Sequence, residues 1–338
     1  DFSSKSRQGD ISSNFYLVAI KKILDTQFNL KDELLSGIHN LDFIEKCEIS
    51  KNGFININIK KKFLIDQVEH LLNEKNNYGK SNVGSEKNVN VEFVSANPTG
   101  PVTVAHMRGA VLGDVISSLL TNTGHQVTRE YYVNNAGSQI DILGQSLFKR
   151  YLELHGEKAE LNSDEYPGEY LIEMAKLIKK KDGDKWLNNE LRQREHYFKD
   201  FAVKYLIEFI EKDLKLLNIK FDKFSFETDI VNSNIINDLF EILDKKNLLY
   251  NGILDKPKGD DSEDWEPREQ LLFKSSSILD DQDRAFKKSN GEWTYFANDA
   301  AYHLDKYNRK FDQLINIWGA DHVGYIPRMK SVLKTISN

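Results

Sequence analysis

The sequence is poor in the features that mark several protein classes. Its 338 residues include one cysteine, Cys47, so it can form neither an internal disulfide nor a zinc site built from several cysteines. No stretch reaches the roughly 18 apolar residues that a membrane span requires, and no signal-peptide pattern precedes the first predicted helix. We therefore expect a cytoplasmic protein that neither spans a membrane nor depends on disulfides.

The charge balance argues against one class of partner and leaves another open. A net charge of −6 is not typical of proteins that coat nucleic acid without specificity. It is compatible with an RNA-binding enzyme, because only the contacting face has to be basic. Lysine runs at 60–62 and 179–181 are candidates for such a face. For the run at 60–62, a solvated helix or strand end is an equally good explanation. For the run at 179–181, it is the better explanation.

The length allows two or three domains, and residues 1–85 are predicted to form a small α+β domain. Apolar residues at helical spacing predict a helix from residue 14 to about 28. Apolar and polar residues alternate on both sides of Asn52-Gly53, which predicts a β-hairpin. The polar stretch 73–87 is rich in Asn, Lys and Ser and predicts a linker.

Residues 86–148 predict the first half of a doubly wound parallel sheet. An apolar strand over 89–94 is followed by a helix that starts near His106 and stops at Gly124, and then by a strand over 126–133. A crossover of this length implies parallel pairing and a right-handed connection.

The remaining chain is predicted to be an insertion followed by the start of the second half of the sheet. Residues 149–285 are predicted to be a mostly helical insertion, which includes an acidic, turn-rich surface loop over 255–270. The sheet pattern resumes within 286–338, with a helix over 300–310, a strand over 313–318 and a further helix from about Val323.

The loop after the first strand of the sheet has the composition of a phosphate site. Asn97, Pro98, Thr99 and Gly100 lead from the strand into the N-terminus of a helix. Backbone N–H groups and the helix dipole favour a negatively charged ligand at such a junction. On its own, this pattern predicts only a nucleotide site.

Six segments together resemble the arginyl-tRNA synthetases, a class I aminoacyl-tRNA synthetase family. They occur in matching order over nearly the whole chain: GDISSNFYLVAIKK (9–22), VEFVSANPTGPVTVAHMRGAVLGDVISSLL (91–120), GHQVTREYYVNNAGSQI (124–140), YPGEYL (166–171), WTYFANDAAYHLDKY (293–307) and INIWGADHVGYIPRMK (315–330). The resemblance implies an α/β fold. This fold has a Rossmann-like, parallel, doubly wound nucleotide-binding domain with a helical insertion, preceded by the small α+β domain, which contacts tRNA.

The resemblance also implies a reaction. The family is an aminoacyl-tRNA ligase that activates L-arginine with ATP to arginyl-adenylate and transfers it to tRNA(Arg) for protein synthesis. The implied partners are tRNA(Arg), L-arginine and ATP, with no membrane partner, and a monomer is expected. Mg²⁺ is expected with ATP, but the sequence identifies no residue as a metal ligand, and no zinc is expected.

The arginine-binding residues follow from the same resemblance. Glu92 and Asn97 match residues that contact the α-amino and backbone end of the substrate. Tyr295 and Asp299 are four residues apart, so a helix places them on one face. They match the pair that lies over and against the guanidinium, a permanent cation that needs carboxylates. His322 matches a polar position that closes the pocket. Without the resemblance, Glu92 would be interpreted as a solvated strand-end carboxylate and Tyr295 as a core aromatic.

The ATP motif departs from the family pattern. The family usually has His-x-Gly-His, whereas this chain has Thr103-Val104-Ala105-His106. His106 and Thr103 take the catalytic positions, and His106 at a helix N-terminus can donate to a phosphate. We expect the methyl of Ala105 to crowd the adenine, which lies against bare backbone when glycine is present. The ATP-binding positions implied in full are Pro98, Thr99, Gly100, Thr103, Ala105, His106, Gly319 and Asp321.

Two family features are not found in the sequence: the Lys-Met-Ser-Lys-like loop and the anticodon-binding domain. The chain therefore resembles the N-terminal and catalytic-core portion of a synthetase, and we expect it to activate arginine weakly or not at all by itself. Two alternatives stay open. One is a weakened synthetase-like module that binds arginine or tRNA without activation, and the other is a class I synthetase for another amino acid.

Overall fold

The computed structural model describes residues 9–22, 29–254 and 268–337, apart from the side chain of Asp321. By its internal contacts the chain divides into two compact units, Asp1–Lys80 and Ser81–Asn338. Among the described residues, no helix is both long and apolar enough to cross a membrane.

The first unit is a three-stranded antiparallel sheet with helices. Its strand order is β1-β3-β2, and its small core contains Ile44, Cys47 and Ile55. The predicted hairpin is confirmed, with Gly53 at a φ of +80° in its turn. The helix predicted from residue 14 is observed only over Phe15–Ile20, and its predicted continuation over 23–28 lies outside the described residues. The elements are β1 (Ile11–Ser13), α1 (Phe15–Ile20), α2 (Leu30–His39), β2 (Ile44–Ile49), β3 (Ile55–Ile59) and α3 (Lys61–Glu74).

The second unit is built around a four-stranded parallel sheet. Its elements are β4 (Asn88–Glu92), α4 (Val104–Asn122), β5 (Gln126–Val133), α5 (Ser138–Leu154), α6 (Glu169–Asp182), α7 (Leu191–Leu216), β6 (Lys223–Phe226), α8 (Glu227–Asn232), α9 (Ile235–Lys245), β7 (Leu249–Gly252), β8 (Gln270–Phe273), β9 (Arg284–Lys287), α10 (Tyr295–Asn308), β10 (Gln313–Asn316) and α11 (Ile326–Ser337). The sheet order is β10-β4-β5-β6, with every pair parallel. The predicted β4–α4–β5 crossover is confirmed, and Gly124, at a φ of +91°, follows the end of α4 as predicted.

The two faces of the sheet have different chemistry. Val89 and Val91 of β4 are fully buried in a core that includes residues of α4 and α7. Because side chains alternate along a strand, Asn90 and Glu92 point to the opposite face, where α10 packs. A third core joins α5, α6 and α7 into a helical bundle. The polar face is the one that holds the candidate site.

Several elements of the second unit differ from their predictions. β6 lies inside the segment predicted as an insertion, yet it extends the parallel sheet beside β5. α10 begins five residues earlier than predicted because the Thr294 side chain caps it, accepting the Ala297 N–H at 3.2 Å. The strand predicted over 313–318 ends at Asn316, and α11 begins at Ile326 rather than Val323. β7, β8 and β9 form a small antiparallel sheet that was not predicted. In the predicted acidic loop, residues 255–267 lie outside the described residues.

The close packing of α4 on β4 depends on Gly113. A methyl group there would lie 2.1 Å from Cγ of the fully buried Phe93. We expect Gly113→Ala to lower the free energy of unfolding by about 1–3 kcal/mol, because overpacking forces the ring or the helix to move. Gly109, one turn earlier in the same helix, has no atom within 4 Å of its Cβ position. At that position, alanine should raise the free energy of unfolding by about 0.5–1 kcal/mol, because alanine has a higher helix propensity than glycine. Urea denaturation measures both variants, and equal effects would contradict this packing.

Candidate active site

Polar residues meet where β4 and β10 reach their carboxyl ends, beside Glu130 in the middle of β5. Glu92 of β4 lies in register between Asn316 of β10 and Glu130 of β5, so the three side chains share one face of the sheet. α10 covers this face, and Lys306 in its last turn donates to Glu92. In open α/β sheets, ligands bind outside the carboxyl ends of the strands. This edge is therefore the place to look for a ligand site.

Glu130 is a buried anion that the protein satisfies completely. Arg309 donates to both carboxylate oxygens, at 2.8 and 2.9 Å. Burial alone would raise the pKa of Glu130, but hydrogen bonds from Arg309 and Ser225 and the charge of Lys306 lower it to about 2. The other donors to this carboxylate are Asn90 at 2.5 Å, Ser225 at 2.5 Å and Tyr302 at 3.0 Å. Glu130 therefore acts in the fold and not as a ligand-binding group.

Glu92 already has a cationic partner within the protein. Lys306, which is 0% exposed, donates from Nζ to Glu92 Oε2 and to Asn316 Oδ1, the latter at 2.9 Å. Ser95 Oγ donates to the other Glu92 oxygen at 3.2 Å. Glu92 is predicted to contact the α-amino end of arginine, and that prediction did not include Lys306.

His303 links this pair to the next turn of α10. Asn316 uses its oxygen to accept from Lys306, so its Nδ2 donates to His303 Nε2 at 2.8 Å. Nδ1 of the ring then carries the proton and donates to the Asp299 carbonyl at 2.8 Å. Burial, helped by the charge of Lys306, lowers the pKa of His303 to about 4. The ring is neutral at physiological pH and fixed in one tautomer.

Asp299 and Glu227 are carboxylates that form no ion pair within the described residues. Asp299 Oδ2 accepts from the Tyr325 hydroxyl at 2.5 Å. Burial raises the pKa of Asp299 to about 7, and the negative charges of Glu227 and Glu92 add to this shift while the Tyr325 hydrogen bond opposes it. Burial also raises the pKa of Glu227, whose partner is the neutral amide of Asn298 at 3.2 Å. A raised carboxyl pKa means that burial disfavours the ionised form, and a positive charge brought beside the carboxylate would favour it.

Further polar atoms around this space lack partners. The buried Tyr132 hydroxyl and the buried Asn298 Oδ1 have no hydrogen-bond partner within the described part of the chain. Burial raises the pKa of Tyr132, as do the charges of Asp299 and Glu227, so the Tyr132 hydroxyl lies near these carboxylates. Buried polar groups are normally paired. An arrangement rich in acceptors suits a ligand with many N–H donors, and guanidinium has five.

Asn97 and Tyr295 lie at the loops above this edge. Asn97 accepts from Asn134 Nδ2 at 2.7 Å and donates to Gln139 Oε1 at 3.0 Å, which ties the loop after β4 to the loop after β5. Tyr295 is 63% exposed, and its hydroxyl lies 3.1 Å from the Cβ position of Gly137 in the second loop. As predicted, Tyr295 and Asp299 occupy one helix, one turn apart.

The Thr103–His106 segment is a helix cap. The Thr103 N–H donates to His106 Nδ1 at 3.0 Å, in the reciprocal pattern of a capping box. Because Nδ1 accepts, the proton of the neutral ring lies on Nε2, which has no partner in the described structure and can donate to a ligand. Ala105 is exposed. Threonine in place of histidine therefore has a structural role here, since it caps α4.

The other predicted ATP-binding positions lie in two loops. Tyr170 of α6 donates to the Thr99 carbonyl at 2.7 Å, and its hydroxyl lies 3.4 Å from the Cβ position of Gly100. Gly319 precedes the 3-10 turn over 320–325. His322 in that turn is exposed, with its ring 6.1 Å from Trp318. The backbone of Asp321 lies in the same turn, Pro98 is buried, and no described contact places any of these residues beside Asp299.

Sequence reasoning missed four residues of the site: Tyr132, Glu227, Lys306 and Tyr325. Glu227 directly follows β6, as Glu92 ends β4. If β6 had been recognised as a sheet strand, the same carboxyl-end rule would have found Glu227. The helical spacing of Asp299 and Lys306 in α10 was the available signal for the lysine.

Two family models match this chain. The family model for the arginyl-tRNA synthetase N-terminal domain matches residues 1–59. The model for the catalytic domain of class I tRNA synthetases of the arginine type matches residues 67–337. The chain belongs to the arginyl-tRNA synthetase family. The predicted family and α/β fold class are thus confirmed.

Individual arginyl-tRNA synthetases are similar over the whole chain. The chain is 40% identical to the arginine–tRNA ligase of Ehrlichia chaffeensis over 338 residues, which are 100% of this chain and 59% of the relative. It is 42% identical to that of a Ruegeria species over 330 residues, 98% of this chain and 57% of the relative. The chain therefore spans less than two thirds of the length of these relatives.

Solved structures show the same fold. A Campylobacter jejuni protein provisionally assigned to the family superposes with a TM-score of 0.71 at 32% identity, covering 83% of this chain and 58% of that one. The Thermus thermophilus arginyl-tRNA synthetase gives a TM-score of 0.57 at 20% identity, covering 90% and 48%. This second likeness supports the fold alone.

Proposed function

We propose that this chain is the arginine-activating part of an arginine–tRNA ligase. It binds L-arginine and ATP, forms arginyl-adenylate and presents it to tRNA(Arg). The observation that carries the proposal is a group of polar side chains beside α10. Asp299 and Glu227 have no ion-pair partner among the described residues, and the Tyr132 hydroxyl and Asn298 Oδ1 have no hydrogen-bond partner there.

The side chain of arginine fits this pocket by charge and by hydrogen bonding. Its planar guanidinium is always protonated and supplies five donors in a fixed fork. We place it against Asp299 and Glu227, with Tyr295 at the mouth of the pocket. A neutral side chain would leave both carboxylates buried without a counter-charge, which is costly. This argues against a synthetase for an uncharged amino acid.

The backbone end of arginine would lie towards Glu92 and Asn97, at the end of β4. From there its carboxylate can reach ATP held at the N-terminus of α4. A carboxylate oxygen attacks the α-phosphorus, the new O–P bond forms, and pyrophosphate leaves. The chain contributes positioning and fixed donors, namely the backbone N–H of Gly100 and Nε2–H of His106, where charge develops. His322, Gly319 and Asp321 are proposed to border the nucleotide or close the pocket, and Mg²⁺ would accompany ATP.

The first unit is proposed to contact tRNA. Lys60, Lys61 and Lys62 are exposed at the start of α3, and no acidic residue lies in that first turn. The helix dipole disfavours cations there, so the fold itself does not account for this run. The run at 179–181 lies in the last turn of α6, where the dipole does account for it. The same proposal includes domain boundaries at 85, 148 and 285, a cytoplasmic location and a monomeric state.

ATP–pyrophosphate exchange tests the proposed function. The assay contains L-arginine and tRNA(Arg), with L-lysine in place of arginine as the matched control. Exchange that depends on arginine and is absent with lysine supports the activation step, even at the low rate that we expect of this chain by itself. Arginine binding without any exchange would contradict it and favour the alternative of a module that binds arginine without activating it.

A further inference from the structure

The polar stripe of α10 places a lysine directly beneath the arginine pocket. Tyr295, Asp299, Tyr302 and Lys306 recur at helical spacing along one face of the helix. The first two are at the pocket, whereas the Lys306 ammonium is enclosed and lies 4.6 Å from the centroid of the Tyr302 ring. Lysine is almost never fully buried unless it is paired, and its charged partner here is Glu92.

A continuous chain of hydrogen bonds joins the two sides of the pocket through this lysine. It runs from Glu92 to Lys306, from Lys306 to Asn316, from Asn316 to His303, and from His303 to the carbonyl of Asp299. The neighbours of each side chain determine which of its atoms donate and which accept. Such fully satisfied buried networks are rigid, so the spacing between Glu92 and Asp299 is set by the protein and not by the ligand.

We propose that Lys306 is the internal counter-ion of Glu92 and a positioning residue of the arginine pocket. Its ammonium lies against this carboxylate and holds it in one orientation before arginine arrives. This inference rests on the proposed function. Arginine then meets Glu92 as a preformed acceptor and has to supply charge only to Asp299 and Glu227. Preorganisation of this kind reduces the cost of ordering the site on binding.

The surroundings of Glu92 leave no other cation for this role among the described residues. Arg309, the next cation along α10, is taken by Glu130 and Asp305. The other titratable groups that face Glu92 are negative or neutral: Asp299, Tyr302 and His303 of α10, Glu130 and Tyr132 of β5, and Glu227 of α8. Without Lys306, the carboxylate would have to take up a proton or repel its neighbours.

The number of protons released when arginine binds tests the inference. In the parent chain, Asp299 must lose its proton, so affinity falls as pH drops below about 7. In Lys306→Gln, Glu92 loses its counter-ion, so its negative charge is disfavoured and we expect arginine binding to release more protons than in the parent chain. Calorimetry in buffers of different ionisation enthalpy counts these protons.

Arg309→Gln is the matched control for this experiment. It removes the cation from the neighbouring buried carboxylate, Glu130, which does not face the pocket. Its proton release should equal that of the parent chain, even if the protein is less stable. An unchanged proton count in Lys306→Gln, or the same increase in Arg309→Gln, would overturn the inference.

A second pair of variants keeps the test decisive if Lys306→Gln does not fold. Glu92→Gln leaves Lys306 as an unpaired cation beside a pocket for a cation, and we expect arginine affinity to fall at least tenfold. Adding Lys306→Gln to this variant removes the unpaired charge and should restore affinity several-fold. A double variant that binds no better than Glu92→Gln would overturn the inference. Failure of the parent chain to bind arginine at all would instead overturn the proposed function.

Discussion

Replacing Asp299 with asparagine should remove most of the affinity for arginine. The substitution keeps the shape of the side chain and an oxygen that can accept from Tyr325, but it removes the charge that pairs with guanidinium. Truncating one partner of a buried charge pair costs about 2–5 kcal/mol, so we expect arginine binding to weaken roughly 30-fold to several thousand-fold. Calorimetric titration of the 338-residue chain measures this loss.

The same substitution should not weaken the fold. The pKa of Asp299 is raised to about 7, above its value in the unfolded chain. A carboxyl group with a raised pKa holds its proton more tightly when folded, so stability falls as the pH rises from the unfolded pKa to about 7, and the full cost remains above pH 7. The asparagine variant avoids that cost and should be at least as stable as the parent at pH 8. Loss of binding therefore cannot be attributed to unfolding.

Asp305→Asn provides the control on the same helix. Asp305 is paired with Arg309 at 3.0 Å and takes no part in the pocket. Loss of this partly exposed ion pair should cost about 1 kcal/mol of stability or less. Because Asp305 takes no part in the pocket, we expect the arginine affinity of Asp305→Asn to remain within about twofold of the parent value. If Asp299→Asn also binds arginine like the parent, the assignment of Asp299 to the guanidinium is wrong.

The fold could be predicted where sequence periodicity was unbroken. The β4–α4–β5 unit followed from an apolar strand, an amphipathic helix and a second strand with few residues between them. β6 could not be found in this way, because it has four residues and lies about 90 residues after β5, beyond a helical bundle. Its membership of the sheet follows from tertiary pairing with β5, and local pattern contains no trace of it.

The candidate site could be predicted only in part, for a related reason. Asp299, Tyr295, Glu92 and Asn97 were assigned by resemblance to a family, residue by residue. The partner of Glu92 is 214 residues further along the chain, and no spacing rule connects positions so far apart. The capping role of Thr103 was likewise hidden, because the motif was interpreted only in terms of ATP. Its hydrogen bond with His106 shows a helix cap.

The central claim is that this chain holds a pocket selective for a guanidinium cation. The most direct measurement compares the binding of L-arginine and L-citrulline at pH 8, by calorimetry on the 338-residue chain. Citrulline has nearly the same shape, but a neutral ureido group replaces the guanidinium. Because citrulline leaves Asp299 and Glu227 without a counter-charge, we expect it to bind about 100-fold more weakly than arginine or worse. Equal affinity for the two ligands would contradict the account.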